Sequence, residues 1–141
     1  MHGEGRVLFA NGNTYVGGFR CDMLHGYGVL TDRETGNVYE GEFEDDKRHG
    51  KAIFRYSGCV YEGEYRNNKR HGKGKETDNE GNIFDGEYEN GDFIRGKVEY
   101  SNDDIYVGEY KDDCRHGKGK FIRFDDGLMQ DGMWIEDVYQ G

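Results

Sequence analysis

The sequence predicts an all-β fold, built as an elongated single-sheet array of antiparallel β-hairpins, with no helix except a short terminal one. Three observations support this. A pattern of about 23 residues recurs along the whole chain; apolar and charged side chains alternate with a period of two in each copy, as in Tyr61–Tyr65; and Asn, Asp and Gly cluster where the chain must turn. No segment has the 3.6-residue period of a helix.

The composition explains why such an array is needed. Leu, Ile, Val and Phe make up only 26 of 141 residues, and the formal charge is −10, values typical of disordered chains. However, the chain has 11 Tyr, 8 Phe, 24 Gly and no Pro, whereas disordered tracts are poor in aromatic residues and rich in Pro. A large aliphatic core is therefore excluded, and the glycines are expected to have fixed structural places.

Each copy begins with an aromatic residue, here called position 0. These residues are Tyr15, Tyr39, Tyr61, Phe84 and Tyr106, and Gln130 occupies the sixth slot. The copies are numbered 1 to 6 from these starts. A half-repeat at 2–14 precedes them, and the whole of 1–141 is predicted to be a single domain. Glycine stands at position +2 of all six copies, and an aromatic residue stands at +4: Phe19, Phe43, Tyr65, Tyr88, Tyr110 and Trp134.

The second half of each copy carries a His-Gly pair at +10 and +11, as in His49-Gly50, and a further glycine at +13, as in Gly74. Copy 4 departs from this pattern: with one extra residue, it places Arg95-Gly96 in the His-Gly slot. Asn or Asp precedes the His-Gly segment, where a hairpin turn needs left-handed backbone. Every copy is therefore predicted to be one hairpin.

This pattern resembles the MORN repeat. YVGGF, YEGEF, YEGEY, FDGEY and YVGEY are each followed by HGYG, HGKA, HGKG or a relative of these, in register over nearly the whole chain. The resemblance implies a row of β-hairpins in one elongated, groove-bearing sheet. It also implies the broad roles of that family, which are cytoskeletal, ciliary and cell-division scaffolds and adaptors to myosin tails.

The register within a hairpin can be predicted from two patterns. We assume that the repeat positions of two facing residues in a hairpin add up to 15. Glycine +2 then faces glycine +13, and the +4 ring lies across from glycine +11. Position 0 faces position +15, which is Leu30, Phe54, Tyr100 or Phe121. The same register places Glu at +3 opposite Lys at +12, which favours it modestly. Rings and glycines would then share one face, with each ring lying over bare backbone.

The row of rings is the candidate functional site. A sheet of one layer would leave them partly exposed, and an extended apolar stripe of this kind marks partner sites. The predicted partner-binding groove, for a helix or an extended segment of another protein, is lined by Tyr15, Phe19, Tyr39, Phe43, Tyr61, Tyr65, Phe84, Tyr88, Tyr106, Tyr110 and Trp134. Self-association through the sheet ends is a further expectation, because edge strands expose unpaired backbone.

Catalytic, metal and cofactor sites are not predicted. Successive histidines of the +10 column should lie roughly 10 Å apart, too far to share one zinc ion, and the adjacent Asp pairs lack the spacing of an EF-hand loop. No catalytic set stands out, so the chain is predicted not to be an enzyme. The acidic balance weighs against nucleic acid, and the three cysteines, Cys21, Cys59 and Cys114, have no metal-ligand spacing and are expected to be reduced thiols in the cytoplasm.

Two alternatives stay open at this point. One is association with phospholipid at a membrane surface, as proposed for the MORN segments of junctophilins and plant phosphatidylinositol phosphate kinases; the basic residues Lys47, Arg48, Lys69, Arg70 and Arg115 are its only support. The other is a regulatory segment of a larger enzyme. The principal prediction is a non-catalytic scaffold or adaptor in the cytoplasm, associated with the cytoskeleton or cilium.

Overall fold

The computed structural model describes residues 2–141, and all regular elements in that range are β-strands. The all-β prediction and the array of antiparallel hairpins are therefore confirmed, and no terminal helix occurs among these residues. The strands are β1 (Gly3–Leu8), β2 (Thr14–Arg20), β3 (Met23–Thr31), β4 (Val38–Glu44), β5 (Lys47–Tyr56), β6 (Cys59–Arg66), β7 (Lys69–Thr77), β8 (Ile83–Glu89), β9 (Asp92–Glu99), β10 (Ile105–Lys111), β11 (Cys114–Ile122), β12 (Met129–Ile135) and β13 (Val138–Tyr139).

The chain forms two compact units, of which the first ends at Lys69 and the second runs from Arg70 to Gly141. In the first unit, β1 to β6 lie side by side in chain order, each antiparallel to the next. In the second unit, β7 to β13 follow the same rule. Each unit is thus a meander of hairpins, and the elongated rod stays a prediction.

The hairpins close with two-residue turns of left-handed backbone, as the sequence predicts. In the β4–β5 hairpin, Asp45 and Asp46 have φ of 47° and 68°, and Asn67 and Asn68 after β6 have 49° and 69°. A turn with two positive φ values matches the right-handed twist of paired strands. Asn and Asp tolerate this conformation better than other non-glycine residues, which is why they occupy these slots.

The predicted register holds away from the turn and fails close to it. In the β2–β3 hairpin, Tyr15 pairs with Leu30 and Gly17 with Gly28, as predicted, but Phe19 pairs with Leu24. One residue of β2 therefore faces three of β3 between these points, so the strand pair contains a bulge with two extra residues. The +4 ring does not face the +11 glycine of its own hairpin; Phe43 instead pairs with Gly26 of the preceding copy.

The bulge also changes the role of the glutamate at +3. The predicted facing pairs of Glu and Lys within one hairpin are wrong for Glu42 and Glu109. Glu42 Oε2 instead accepts a hydrogen bond from the Lys51 backbone N–H at 2.8 Å, and Glu109 Oε2 accepts one from Lys118 N–H at 2.7 Å. The Cα partner of Lys51 is Glu64 on the next strand. The +3 carboxylate thus satisfies a backbone donor that the bulge removes from the strand ladder.

Glycine at +11 fits this arrangement closely. Gly50 has φ of 81°, in the left-handed region, and a Cβ there would collide with the Glu42 carboxylate. The left-handed backbone therefore requires glycine at this position, and a Cβ would in addition push the Glu42 carboxylate away from Lys51 N–H.

Copy 4 has a shorter bulge, which corrects the prediction made for it. Glu87 pairs with Arg95 and Tyr88 with Phe93, so only Ile94 is extra. Phe84 consequently faces Val98, which is fully buried, and not Tyr100 as predicted.

Candidate functional site

The predicted groove residues form the core of each unit. Nine of the eleven are buried: Tyr15, Tyr39, Phe43, Tyr61, Tyr65, Tyr88, Tyr106, Tyr110 and Trp134, with no more than 7% of any of them exposed. Only Phe19 and Phe84 are half-buried. The expectation of a partly exposed aromatic stripe is therefore wrong for most of its members, although their role in binding is untested.

The rings achieve this burial by packing edge to face along each unit. In the first unit, Tyr39 touches Phe43 of its own copy at a centroid distance of 4.8 Å and Tyr65 of the next copy at 5.3 Å. In the second unit, Tyr106 touches Tyr110 at 5.5 Å and Trp134 at 5.7 Å. Tyr39 and Tyr106, like Tyr15, are thus each held between two +4 rings, in the geometry that aromatic quadrupoles favour.

The tyrosine hydroxyls at position 0 are satisfied inside this stack. Tyr39 donates to the Glu42 carbonyl at 2.7 Å and Tyr106 to the Glu109 carbonyl at 2.8 Å, and Tyr15 and Tyr61 make the same contact. Burial, which disfavours the phenolate, raises the pKa of Tyr106 to about 12. These side chains are neutral structural donors at physiological pH.

Three arginines at position +9 cover the rings that a one-layer sheet would leave open. The Arg48 guanidinium lies 4.7 Å from the Phe54 ring centre and 5.0 Å from that of Tyr39. Arg115 lies 4.9 Å from Phe121 and 4.8 Å from Trp134. Guanidinium groups stack well on aromatic faces. In the sequence these arginines are part of the basic set that supports phospholipid association. Their shared position +9 is the feature of the sequence that indicates a structural role instead.

Near copy 4 this cover is incomplete, and an opening of about 360 Å³ remains on the ring face of the second unit. We call it the aromatic pocket. Four rings and five polar side chains line it: Phe84, Tyr100, Tyr110 and Phe121 with Asn102, Asp104, Asp113, Arg115 and Asp137. The Tyr100 and Tyr110 hydroxyls share a hydrogen bond of 2.6 Å. Burial raises the pKa of both. Of the predicted groove residues, the structure brings Phe84 and Tyr110 to this opening.

A second, larger opening lies on the opposite face of the same unit. It has a volume of about 700 Å³, and we call it the glycine channel. Backbone at three glycines lines it, together with one apolar and six charged side chains: Gly86, Gly96, Gly108, Val107, Lys73, Asp85, Glu87, Arg95, Glu109 and Lys118. Arg95 and Glu87 form an ion pair there, and half of Val107 is exposed.

The histidine, cysteine and acidic side chains of the described residues are spread along the strands and turns. Among residues 2–141, no group of three or more His, Cys, Asp and Glu side chains is placed to hold a metal ion. His25 Nδ1 lies 3.9 Å from Asp45, and His49 Nε2 lies 3.5 Å from Glu44. The cysteines are free thiols. The described residues contain no helix that is long and apolar enough to span a membrane.

Comparison with known proteins identifies one family and similarity to solved structures. A family model described as "MORN repeat" matches residues 1–14, 15–33, 39–58, 61–83 and 106–128. The longest unmatched span, 84–105, is the whole of copy 4, which contains the irregular hairpin. Among curated proteins, no sequence matches significantly.

A similar solved structure is the TCP domain of Drosophila melanogaster SAS-4 (dCPAP), solved in complex with a proline-rich motif of Ana2 (dSTIL). The TM-score is 0.54 at 11% identity, over 93% of this chain and 72% of that chain. At this identity the likeness concerns the fold alone.

Proposed function

The chain belongs to the MORN-repeat family, and from this premise we propose that it is a non-catalytic scaffold whose aromatic pocket binds a segment of a partner protein. The observation that carries the proposal is the pocket itself: it brings the part-exposed rings of Phe84 and Tyr100 together with polar side chains, whereas nine of the eleven predicted groove rings are buried in the stack. Aromatic surface surrounded by polar side chains is typical of protein-binding sites. The fold neighbour, whose structure was solved in complex with a peptide motif, is consistent with this use.

The pocket replaces the long groove as the contact surface because of burial. Tyr61 and Tyr65 are 0% and 5% exposed, so a partner could reach them only if the core rearranged. Phe84 is half-buried and borders the opening. A partner side chain can therefore cover its exposed surface without disturbing the stack.

The phospholipid alternative is less well supported, because its basic residues are engaged within the chain. Arg48 and Arg115 stack on rings, and Arg70 forms a 2.7 Å ion pair with Glu76 in which both side chains are more than four-fifths buried. Only the two lysines, Lys47 and Lys69, extend freely from that cluster into solvent. The net charge of −10 would in addition repel an anionic membrane.

For the location in the cell, we propose the cytoplasm, with association to the cytoskeleton or cilium. Three free thiols support a reducing compartment, and the family supports the association. A fluorescent fusion in source cells would test this. A secreted or organelle-restricted signal would contradict it.

The binding experiment compares variants on the two faces. Phe84→Ala enlarges the aromatic pocket, Val107→Lys places a charge in the glycine channel, and Val16→Lys is a control at the same repeat position as Val107 in copy 1. Each is checked by circular dichroism and used to capture partners from source-cell extract. We expect Phe84→Ala to lose proteins that the wild type and Val16→Lys retain.

Three other outcomes would contradict the proposal in distinct ways. Loss with Val107→Lys alone would move the binding surface to the glycine channel. Retention by all variants would exclude both openings. Binding of wild type to anionic liposomes at low salt, with no captured protein, would favour the phospholipid alternative.

A further inference from the structure

We propose that the aromatic pocket receives an arginine side chain of the partner segment, with its guanidinium over Phe84 and paired with the Asp113 carboxylate. This inference rests on the proposed function, because it names the chemistry by which the same pocket would recognise a partner. Three features of the pocket support it: an unengaged carboxylate, an uncovered ring and a local excess of negative charge.

The first step concerns the residue at position +7, the second residue of each hairpin turn. Its side chain usually caps a backbone N–H in the preceding hairpin: Asp46 Oδ1 accepts from Leu24 N–H at 2.7 Å, and Asp137 Oδ1 accepts from Arg115 N–H at 2.7 Å. Asp113 occupies the same slot, but the hairpin before it is that of copy 4, with its shorter bulge. Within residues 2–141 its carboxylate accepts no hydrogen bond and forms no ion pair, and it lines the pocket.

The second step concerns the rings. In copy 2, Arg48 pairs with Phe43 across the hairpin and covers the nearby rings. In copy 4 the corresponding partner of Tyr88 is Phe93, which packs on Phe84 at 5.7 Å. No guanidinium lies over Phe84 in the described part of the chain. The pocket thus retains aromatic surface of the kind that other copies cover with an arginine of their own.

The third step concerns charge. The pocket holds three carboxylates, from Asp104, Asp113 and Asp137, and one guanidinium, from Arg115. Arg115 pairs with Asp137 at 3.3 Å. Asp104 accepts hydrogen bonds from the backbone of Phe124 and from a side-chain amide. Asp126, which is paired with Arg123, and to a smaller extent Asp104 raise the pKa of that guanidinium. Asp113 forms no ion pair with any described residue, so the pocket keeps an excess of negative charge, which a basic side chain complements.

Arginine suits this combination better than lysine. Its guanidinium is planar, so it can stack on a ring and still direct its edge N–H groups at a carboxylate. Arg115 already does both in this pocket, stacking on Phe121 and Trp134 while it donates to Asp137. Arg115 also lies over Tyr100, at 5.9 Å from the ring centre. A second guanidinium, supplied by the partner, would use Phe84 and Asp113 in the same way.

The test uses isotopically labelled protein and small probes, so it does not depend on knowing the partner. N-acetyl-arginine methylamide is titrated against N-acetyl-citrulline methylamide, a neutral isostere, and against N-acetyl-lysine methylamide, with backbone amide chemical shifts as the readout. We expect the arginine probe to shift the amides of Tyr100 and Asp113, and the citrulline probe to leave them in place. We expect Asp113→Asn to weaken arginine binding by about three- to fivefold, the range of a partly exposed ion pair.

Asp46→Asn is the matched control at the same repeat position in the first unit, and Asn68 shows that the turn accepts Asn there. It should leave arginine binding unchanged. Equal shifts with citrulline, equal affinity for lysine, or undiminished binding by Asp113→Asn would each overturn the inference. If the arginine probe fails while Phe84→Ala still loses captured proteins, the proposed function stands and only the chemistry assigned to the pocket is wrong. If both fail, the proposed function falls as well.

Discussion

Replacing Gly108 with alanine tests the close approach of backbones beneath each ring. Gly108 is the +2 glycine of copy 5, and it pairs with Gly119 across the hairpin. A Cβ at Gly108 would lie 2.5 Å from the Lys118 carbonyl oxygen and 2.7 Å from the Tyr106 hydroxyl, whereas ordinary contacts begin at 3.4 Å. The first of these atoms belongs to backbone, so β10 and β11 would have to separate by nearly an ångström.

That separation has a cost that can be worked from the contacts it disturbs. Overpacking of a filled site costs about 1–3 kcal/mol, and loss of the hydrogen bond from Tyr106 to the Glu109 carbonyl adds about 1 kcal/mol. We therefore expect Gly108→Ala to lower the free energy of unfolding by about 2–4 kcal/mol. Gly119→Ala is the comparison: its Cβ would meet mainly the Tyr106 ring, and copy 2 already carries Ala52 at that position.

The assay is urea unfolding followed by fluorescence of Trp134, the single tryptophan, which is 2% exposed and lies 5.7 Å from the Tyr106 ring. The loss should be clearly larger for Gly108→Ala than for Gly119→Ala, because the first requires β10 and β11 to separate, whereas Ala52 in copy 2 shows that the second position accommodates a methyl group. A loss below about 1 kcal/mol for Gly108→Ala, or an equal loss for both, would refute the reasoning that backbone contact requires glycine at +2.

Three further predictions use the same unfolding assay. Glu109→Ala should lower the free energy of unfolding by about 1 kcal/mol, because Lys118 N–H loses its acceptor. Glu109→Gln should lower it by less, because the amide oxygen can still accept that hydrogen bond. Equal losses would contradict the role of Glu109 as an acceptor for the backbone. The pKa of Tyr106 in the folded protein is about 12, above the usual 10.0, so the phenol ionises first in the unfolded chain. Stability should therefore be intact below pH 10 and fall between about pH 10 and 12. Tyr106→Phe should make that fall smaller, and an unchanged pH profile in the variant would contradict the prediction. Arg115→Lys should lower stability by about 1 kcal/mol and alter Trp134 emission, since lysine lacks the planar stack; identical emission would contradict this.

The turns of the hairpins and the facing residues far from those turns follow from the spacing of the repeats. Tyr15 facing Leu30, Gly17 facing Gly28 and the left-handed turn at Asp45-Asp46 were all predictable, because turn chemistry and a period of two act over a few residues. Equal spacing could not reveal the bulge between Gly17 and Phe19. Adding residues to one strand changes which residues face each other without changing the length of the repeat.

The site was less predictable than the hairpins. The sequence predicts Phe84 and Tyr110 as groove residues. Tyr100 and Asp113 line the pocket because the bulge of copy 4 is shorter than in the other copies. Aligning the copies by sequence instead suggests that copy 4 has one extra residue before its Arg95-Gly96 pair. The burial of Tyr61 and Tyr65 was likewise missed. It depends on how each ring packs between two neighbours and over bare backbone, which involves residues more than twenty positions apart.

By itself, the sequence determined the family, the all-β hairpin array and the places of its glycines and turns, because these follow from local chemistry repeated in register. The tertiary structure alone decided which rings are buried and which remain open. A one-layer sheet has no second layer to cover its rings, so their exposure depends on whether an arginine or a neighbouring ring lies over them. Copy 4 is where that cover is incomplete, and it is there that we expect the partner to bind.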